Sequence, residues 1–399
     1  MADRKLDQLE CMRGIAALMV VGWHLRLGFS MRVLHQSADI TVLEHLFDAA
    51  FNAGAAVTFF FVLSGLVLTL GYFRSGDLGV LSRGALKRWP RLAGACTVTV
   101  LASWALFASG GYHFSAASAI TGSRWLSEFG SGGLPTPFAP SWLDALRQGS
   151  FSTFYRGEAY YDSSLWTMRP ELIGSLLSFG LAPIAFAIRK PWIACGTLAI
   201  AAIMLFQLSQ HLPSFLAGVM LARCIYAQVP RLNPAATIGL VVVGLTLLTF
   251  DGPVRQFSFL AGRIDEHSRV AFFVWDLGAV LLILAAMGSA GMARSLSGVL
   301  ARWLGRLSFP IYLVHVPVLC SAGAYVYVHV FKIAGPQLAL LAAIIVTLAG
   351  TVAAAIPLAR FDDWWVRQLN WAARYAVDGR SKAEPIGARV MAAAFSSRK

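Results

Sequence analysis

The stretch LDQLECMRGIAALMVVGWH, residues 6–24, is a charged opening followed by an apolar run that ends on a histidine. Read as a helix, it brings Arg13 and His24 onto nearly the same face, about 16 Å apart at ~1.5 Å rise per residue. Arg13 then stands at one edge of a hydrocarbon layer ~30 Å thick, with His24 near its middle. Ionisable residues at that depth are costly, and each is a functional hypothesis by default. No small-x-small cleavage site ends the run cleanly, so it reads as a retained first helix rather than a secretory signal.

Nine further apolar runs follow, near 53–73, 91–109, 165–188, 191–208, 211–227, 235–251, 270–289, 308–330 and 336–358. The chain of 399 residues is 57% hydrophobic and 13% charged, against about 45–50% and about 25% in soluble domains. Too little polar surface is left to cover a water-facing globule, and lipid is the solvent that fits. The expected fold class is all-α, a polytopic transmembrane bundle of about ten helices. Charge sets its orientation. If the N-terminus is cytoplasmic, 23 of the 33 lysines and arginines fall on the inner side, among them Arg74, Arg83, Lys87, Arg189, Arg294 and Arg306. Basic inner loops and an even helix number predict both termini inside. Because this positive charge punctuates apolar runs and does not gather on a soluble module, the net +13 does not indicate nucleic acid. Residues 1–358 form the expected membrane domain. Residues 359–399 form a basic cytoplasmic tail, amphipathic at first (Phe361, Trp364, Trp365, Leu369) and disordered after Asp378. The largest outer segment is 110–164, and a second outer loop, 29–52, carries His35, Glu44, His45 and Asp48. Trp89, Trp125, Trp142, Trp303, Trp364 and Trp365 flank the runs as interface anchors do. The five cysteines lack metal-type spacing and read as small packing residues; no metal site is expected.

Four segments hold the remaining chemistry. His24 can serve as a general base on a hydroxyl, since imidazole titrates near working pH; a polar side chain bonding a neighbouring helix is the plain alternative. Arg88 and Arg91, in RWPR, lie three residues apart on one helical face. They suit phosphate oxygens and equally suit simple anchoring at the inner surface. Glu171, in LWTMRPE, sits about a turn inside the membrane and needs a histidine, an arginine or substrate hydroxyls as partner. In RLSFPIYLVHVPV, His315 follows Tyr312 on one face between Pro310 and Pro317, which predicts a kink or loosened turn. Asp276 is a less placed candidate, favoured as half of a structural pair or as a helix-end residue. Ser64 and Gly65 in FFFVLSG suggest close helix packing.

Together and in this order these segments resemble membrane acyltransferase family 3, the bacterial O-acyltransferases of surface glycans and some small molecules. The opening is similar to LDxLRGIAALxVVxxH with its Arg-x10-His, except that Glu10 and Cys11 interrupt it. FFFVLSG, the Arg88/Arg91 pair, LWTMRPE and the late Tyr312-to-His315 segment are similar to the family's later motifs. Arg169 departs from the pattern, standing where apolar residues are common. The resemblance covers roughly residues 6–358. It implies a multi-pass protein of the bacterial inner membrane that takes cytoplasmic acyl-CoA, with acetyl-CoA the expected donor. The acceptor would be a glycan, a lipid-linked glycan or another hydroxyl-bearing molecule reached from the outer side. It implies catalytic roles for His24 and Glu171, with Glu171 orienting His24. Arg13, Arg88 and Arg91 would meet the donor, and Trp166, Tyr312 and His315 the acceptor. A soluble hydrolase-like domain fused to some members is not expected here. A lipid-linked-sugar transporter or flippase, a scaffold of a glycan-synthesis complex, and an acyltransferase acting on a secreted metabolite are the competing readings.

Overall fold

The computed structural model describes residues 7–29, 47, 50–250 and 269–378, and all regular structure among them is helical. His35, Glu44, His45 and Asp48 lie outside the described residues, as does the tail after Asp378. The long helices are α1 (Asp7–Phe29), α2 (Ala53–Ser75), α3 (Leu78–Ala108), α4 (Met168–Ala187), α5 (Pro191–Phe206), α6 (Leu212–Ile225), α7 (Pro234–Leu248), α8 (Arg269–Gly288), α9 (Val299–Val318) and α10 (Ala324–Asp378). Gly335, with φ 80° and ψ −179°, breaks α10 into 324–334 and 336–378.

Local chemistry fixes several helix ends. The Asn52 side chain accepts from Ala55 N at 3.0 Å to open α2, and Gly76, at φ 69°, closes it with a bond to the Tyr72 carbonyl. Such left-handed closure is easy only for glycine. Asp77 then caps α3 through Gly79 N, so two residues suffice to reverse the chain. Asn233 caps α7 ahead of Pro234, where a missing N–H costs nothing.

Each of the ten apolar runs is helical over most of its described residues. Five helical stretches are long and apolar enough to cross a membrane: Ala53–Ser75, Leu78–Ala108, Ser163–Ala187, Ala271–Gly288 and Val299–Val377. The last holds two of the expected runs, divided at Gly335. α1 is long enough but carries Asp7, Glu10, Arg13 and Arg26. α5, α6 and α7, with 16, 14 and 15 residues, are shorter than the ~20 residues a perpendicular crossing needs.

Two close crossings hold the bundle together. A Cβ on Gly65 would strike the Phe215 carbonyl, and one on Gly218 the Val62 carbonyl, so α2 and α6 touch backbone to backbone. α1 meets α9 in the same way, where Gly14 faces Leu304 and Gly305 faces Glu10. α9 passes through Pro310 and Pro317 and continues into a π-helical turn, Leu319–Gly323. That turn is the loosened segment expected from the two prolines.

Two regions differ from expectation. Between α3 and α4 the chain does not stay wholly beyond the helix ends. Tyr161 is held near the far end of α3, its carbonyl accepting from Ser103, while Ser150 accepts from Trp89 Nε1 at 3.0 Å. Ser103 and Trp89 are about 21 Å apart along the helix axis at ~1.5 Å per residue. The piece Trp142–Tyr155 therefore runs back alongside α3, with Trp142, Leu143, Phe151 and Tyr155 exposed on its outer surface. The last helix also passes position 358 without interruption. Trp365 donates to the Pro90 carbonyl at 2.8 Å, Asp363 pairs with Arg306 at 2.6 Å and Asn370 accepts from Lys87 at 2.7 Å. These bonds tie 359–378 to α3 and α9.

Candidate active site

The first turn of α4 presents Glu171, only 9% exposed. Arg88 of α3 forms an ion pair with it, and Arg88 Nε donates to Ser175 Oγ at 2.8 Å. Ser64 of α2 adds a third bond, donating to Glu171 Oε1 at 2.8 Å. Three helices thus converge on one carboxylate. The resemblance gave Glu171 the task of orienting His24, but in the structure it is bonded to Arg88 and Ser64. A buried guanidinium requires a counter-charge, and stranding it would cost far more than leaving a neutral imidazole to other partners. Ser64 serves this ion pair, and the close helix packing is left to Gly65.

Arg13 is spent on structure in a similar way. Its Nε donates to Ser308 Oγ at 2.8 Å and its Nη2 to the Gly305 carbonyl at 2.9 Å, with Glu10 2.7 Å away. Glu10 belongs to the interruption in the opening motif, and here it neutralises the arginine that pins α1 to α9. Arg91 is different: it is half-buried and makes no hydrogen bond or ion pair among the described residues. It faces Asp362 of α10, whose Oδ1 is buried without a hydrogen-bond partner among the described residues. Arg91 and Asp362 form the unsaturated edge of the basic end.

Farther along α1, His24 Nδ1 lies 2.8 Å from His315 Nε2. The rings are nearly coplanar, at 17° with centroids 5.0 Å apart, which is the geometry of an edge-to-edge N–H···N bond. His315 Nδ1 lies 2.7 Å from the Tyr312 carbonyl, and a carbonyl can only accept. In a neutral pair His315 Nδ1 therefore carries a proton, His315 Nε2 accepts, and His24 Nδ1 donates to it. The lone pair of His24 Nε2 then has no hydrogen-bond partner among the described residues. Trp125 packs on the other side of His24, rings 5.0 Å apart. It comes from the segment between α3 and α4, and Ser123 ties that segment to α1 by donating to the Leu27 carbonyl at 2.6 Å.

Tyr312 is buried and shares a 3.0 Å hydroxyl bond with Thr167; it also donates to the Ser164 carbonyl at 3.1 Å. Trp166, next in the chain, turns the other way and is 44% exposed, with its ring 5.1 Å from that of His211. Arg169 is exposed and lies against Gly157. His24, His315 and Tyr312 are thus together, Glu171 and Arg88 form a second group, and Arg13 and Arg91 stand toward the basic end. The sequence reading missed two partners. His315 stood out there as an acceptor contact and not as the partner of His24, and Trp125 as a membrane-interface anchor, although it is buried. Neither pairing has a signal in spacing, because 291 residues separate His24 from His315. No group of three or more His, Cys, Asp or Glu side chains able to hold a metal occurs among the described residues.

Residues 6–356 match the family model described as an acyltransferase domain, that of acyltransferase family 3. Comparison with curated proteins and with solved structures gives no significant match.

Proposed function

This chain belongs to acyltransferase family 3, and we propose that it moves an acyl group, acetyl in the first instance, from cytoplasmic acyl-CoA to a hydroxyl of a glycan or lipid-linked glycan on the far side of a bacterial inner membrane. Ten crossings with both termini inside accommodate the helices, α5 to α7 being the short ones. The basic end, where Arg91 and Lys87 stand, then faces the cytoplasm. The basic stretch 359–378, which continues the last helix, then lies at the inner surface.

The observation that carries this reading is the 2.8 Å contact of His24 Nδ1 with His315 Nε2 in the body of the bundle, which in a neutral pair turns the lone pair of His24 Nε2 outward from it. CoA phosphates at the inner mouth would meet Arg91, whose guanidinium makes no protein bond among the described residues, and Lys87 beside it. The acyl thioester would reach upward to His24. His24 Nε2 takes the proton of the acceptor hydroxyl as its oxygen attacks the thioester carbonyl. The C–S bond then breaks, the imidazolium returns the proton to the CoA thiolate, and an O-acyl ester is released. Positioned general-base catalysis of this kind contributes roughly 10²–10⁴-fold. His315 holds the tautomer of His24, while Arg88 and Glu171 hold α3 and α4 around the path of the donor.

Purified protein in liposomes, supplied with labelled acetyl-CoA and an extract of membrane glycans, tests this directly. Label is expected in an alkali-labile ester of the glycan fraction. Movement of unmodified glycan lipid across the bilayer without transfer of label would make the protein a flippase and overturn the proposal.

A further inference from the structure

The family match ends at residue 356, but the last helix continues to Asp378. That continuation is fastened along the basic end of α3. Trp365 donates to the Pro90 carbonyl at 2.8 Å with its ring packed on Gly94, and Asn370 accepts from Lys87 Nζ at 2.7 Å. Two polar stripes meet at this seam. On α3, Arg83, Lys87 and Arg91 follow one another four residues apart, which puts them on one face. On the last helix, Asn370 and Arg374 have the same spacing. Arg83, Arg91 and Arg374 all bring their charge to bear on the Lys87 ammonium.

Like charges four residues apart on a helix oppose its folding, and here a second helix adds another cation. The chain does little to offset them. Arg83 has Asp77, but the bond of Lys87 is to the neutral Asn370 side chain. Arg91 and Arg374 make no hydrogen bond or ion pair among the described residues. Asp362 stands at the inner end of the seam, facing Arg91 and Arg13, and its neighbour Asp363 is taken by Arg306. The seam is accessible, since Arg374 is exposed and Lys87 and Arg91 are half-buried. From Arg83 to Arg91 it is about 12 Å long at ~1.5 Å per residue.

We propose that this seam is a phosphate site with two walls, α3 and the continued last helix, and that Arg374 joins Lys87 and Arg91 in binding the nucleotide end of the donor. Guanidinium groups take phosphate oxygens in pairs, and an ammonium adds a point charge between them. A nucleotide and a phospholipid headgroup share this chemistry. The length of the seam favours the nucleotide end of CoA, which carries several phosphates on one molecule, over a single headgroup whose chains must stay in the bilayer. The stretch 359–378 is then part of the donor site and more than a surface anchor. The identity of the ligand rests on the acyl-transfer reading.

Titration calorimetry on the full chain in nanodiscs of neutral phosphatidylcholine, with CoA and adenosine as probes, tests this without requiring turnover. CoA should bind, adenosine should not, and added salt should weaken CoA. Arg374→Gln, an exposed change that leaves thermal unfolding close to that of the parent, should weaken CoA about fivefold or more. Arg294→Gln removes the same charge from the inner end away from the seam and should leave CoA affinity as it was. In liposomes Arg374→Gln should raise the KM for acetyl-CoA by a similar factor with kcat kept. Unchanged CoA affinity in Arg374→Gln, or equal weakening by Arg294→Gln, overturns the seam. So does loss of phosphatidylglycerol bound to Arg374→Gln, read by native mass spectrometry, with CoA affinity intact, which would assign these cations to a headgroup. Acetyl transfer with a KM indifferent to Arg374→Gln would overturn the seam alone. CoA binding sensitive to Arg374→Gln without any acetyl transfer would overturn the acyl-transfer reading and leave the seam standing.

Discussion

The two ends of the bundle meet the cost of burying polar groups in opposite ways. In the layer of Arg13, Arg88 and Glu171, the protein itself supplies partners: Ser308, the Gly305 carbonyl, Ser175 and Ser64. Thr58 Oγ1, Ser214 Oγ and Asp276 Oδ1, by contrast, have no hydrogen-bond partner among the described residues. A saturated layer resists change and holds helices in register, whereas buried groups without partners add nothing to that register. The histidine pair lies between the two, with one ring nitrogen of His24 left free. Arg13, Arg88 and Glu171 are therefore each engaged in bonds between helices.

Substitutions can break this comparison. The largest stability loss is expected for Arg88→Ala or Glu171→Gln, each stranding half of a buried pair at about 3–5 kcal/mol. Thermal unfolding in detergent reads this, and the Arg88→Met/Glu171→Met double variant should regain a large part of the loss. Single variants as stable as the parent would show that the layer is not structural. His315→Ala should lower kcat about 100-fold, equivalent to ~2.7 kcal/mol, with the acceptor KM little changed. A fall in folded protein with kcat preserved would reduce His315 to interhelical glue. Gly218→Ala forces α2 from α6 and should cost about 1–3 kcal/mol, as overpacking does. The smallest change in stability belongs to Asp276→Asn, within about 1 kcal/mol of the parent, because no hydrogen bond to Oδ1 occurs among the described residues. A large destabilisation there would move Asp276 into the saturated class and erase the contrast.

Much of the architecture was legible because apolar periodicity and the placement of arginines are local signals. The runs near 53–73 and 270–289 coincide with α2 and α8 to within two residues. The extent of α3 was not legible. Its first three turns, from Leu78 onward, carry Arg83, Lys87 and Arg88, and a hydropathy window passes over them. The run of Trp142–Tyr155 back along α3 was hidden for a related reason: Gly149 fits against the backbone of Thr97, a contact that composition cannot signal. In the site, Arg13, His24, Arg88 and Glu171 stood out as charges in apolar surroundings. Their pairing did not, since motif order says which residues matter and not which touch. Glu171 could have faced a histidine as readily as an arginine until three helices were brought together. Thr58 and Ser214 gave no signal, because hydroxyls in apolar helices usually bond their own backbone, as Thr69 and Ser178 do here.

The central claim is that His24 removes the acceptor proton while the arginine layer holds the vessel. It is tested most directly by acetyl transfer from labelled acetyl-CoA with His24→Ala, beside the parent in the same liposomes. The account predicts transfer reduced about 1,000-fold or more, within the range of general-base catalysis, with unfolding temperature and membrane insertion preserved. Transfer at the parent rate by folded His24→Ala would contradict it.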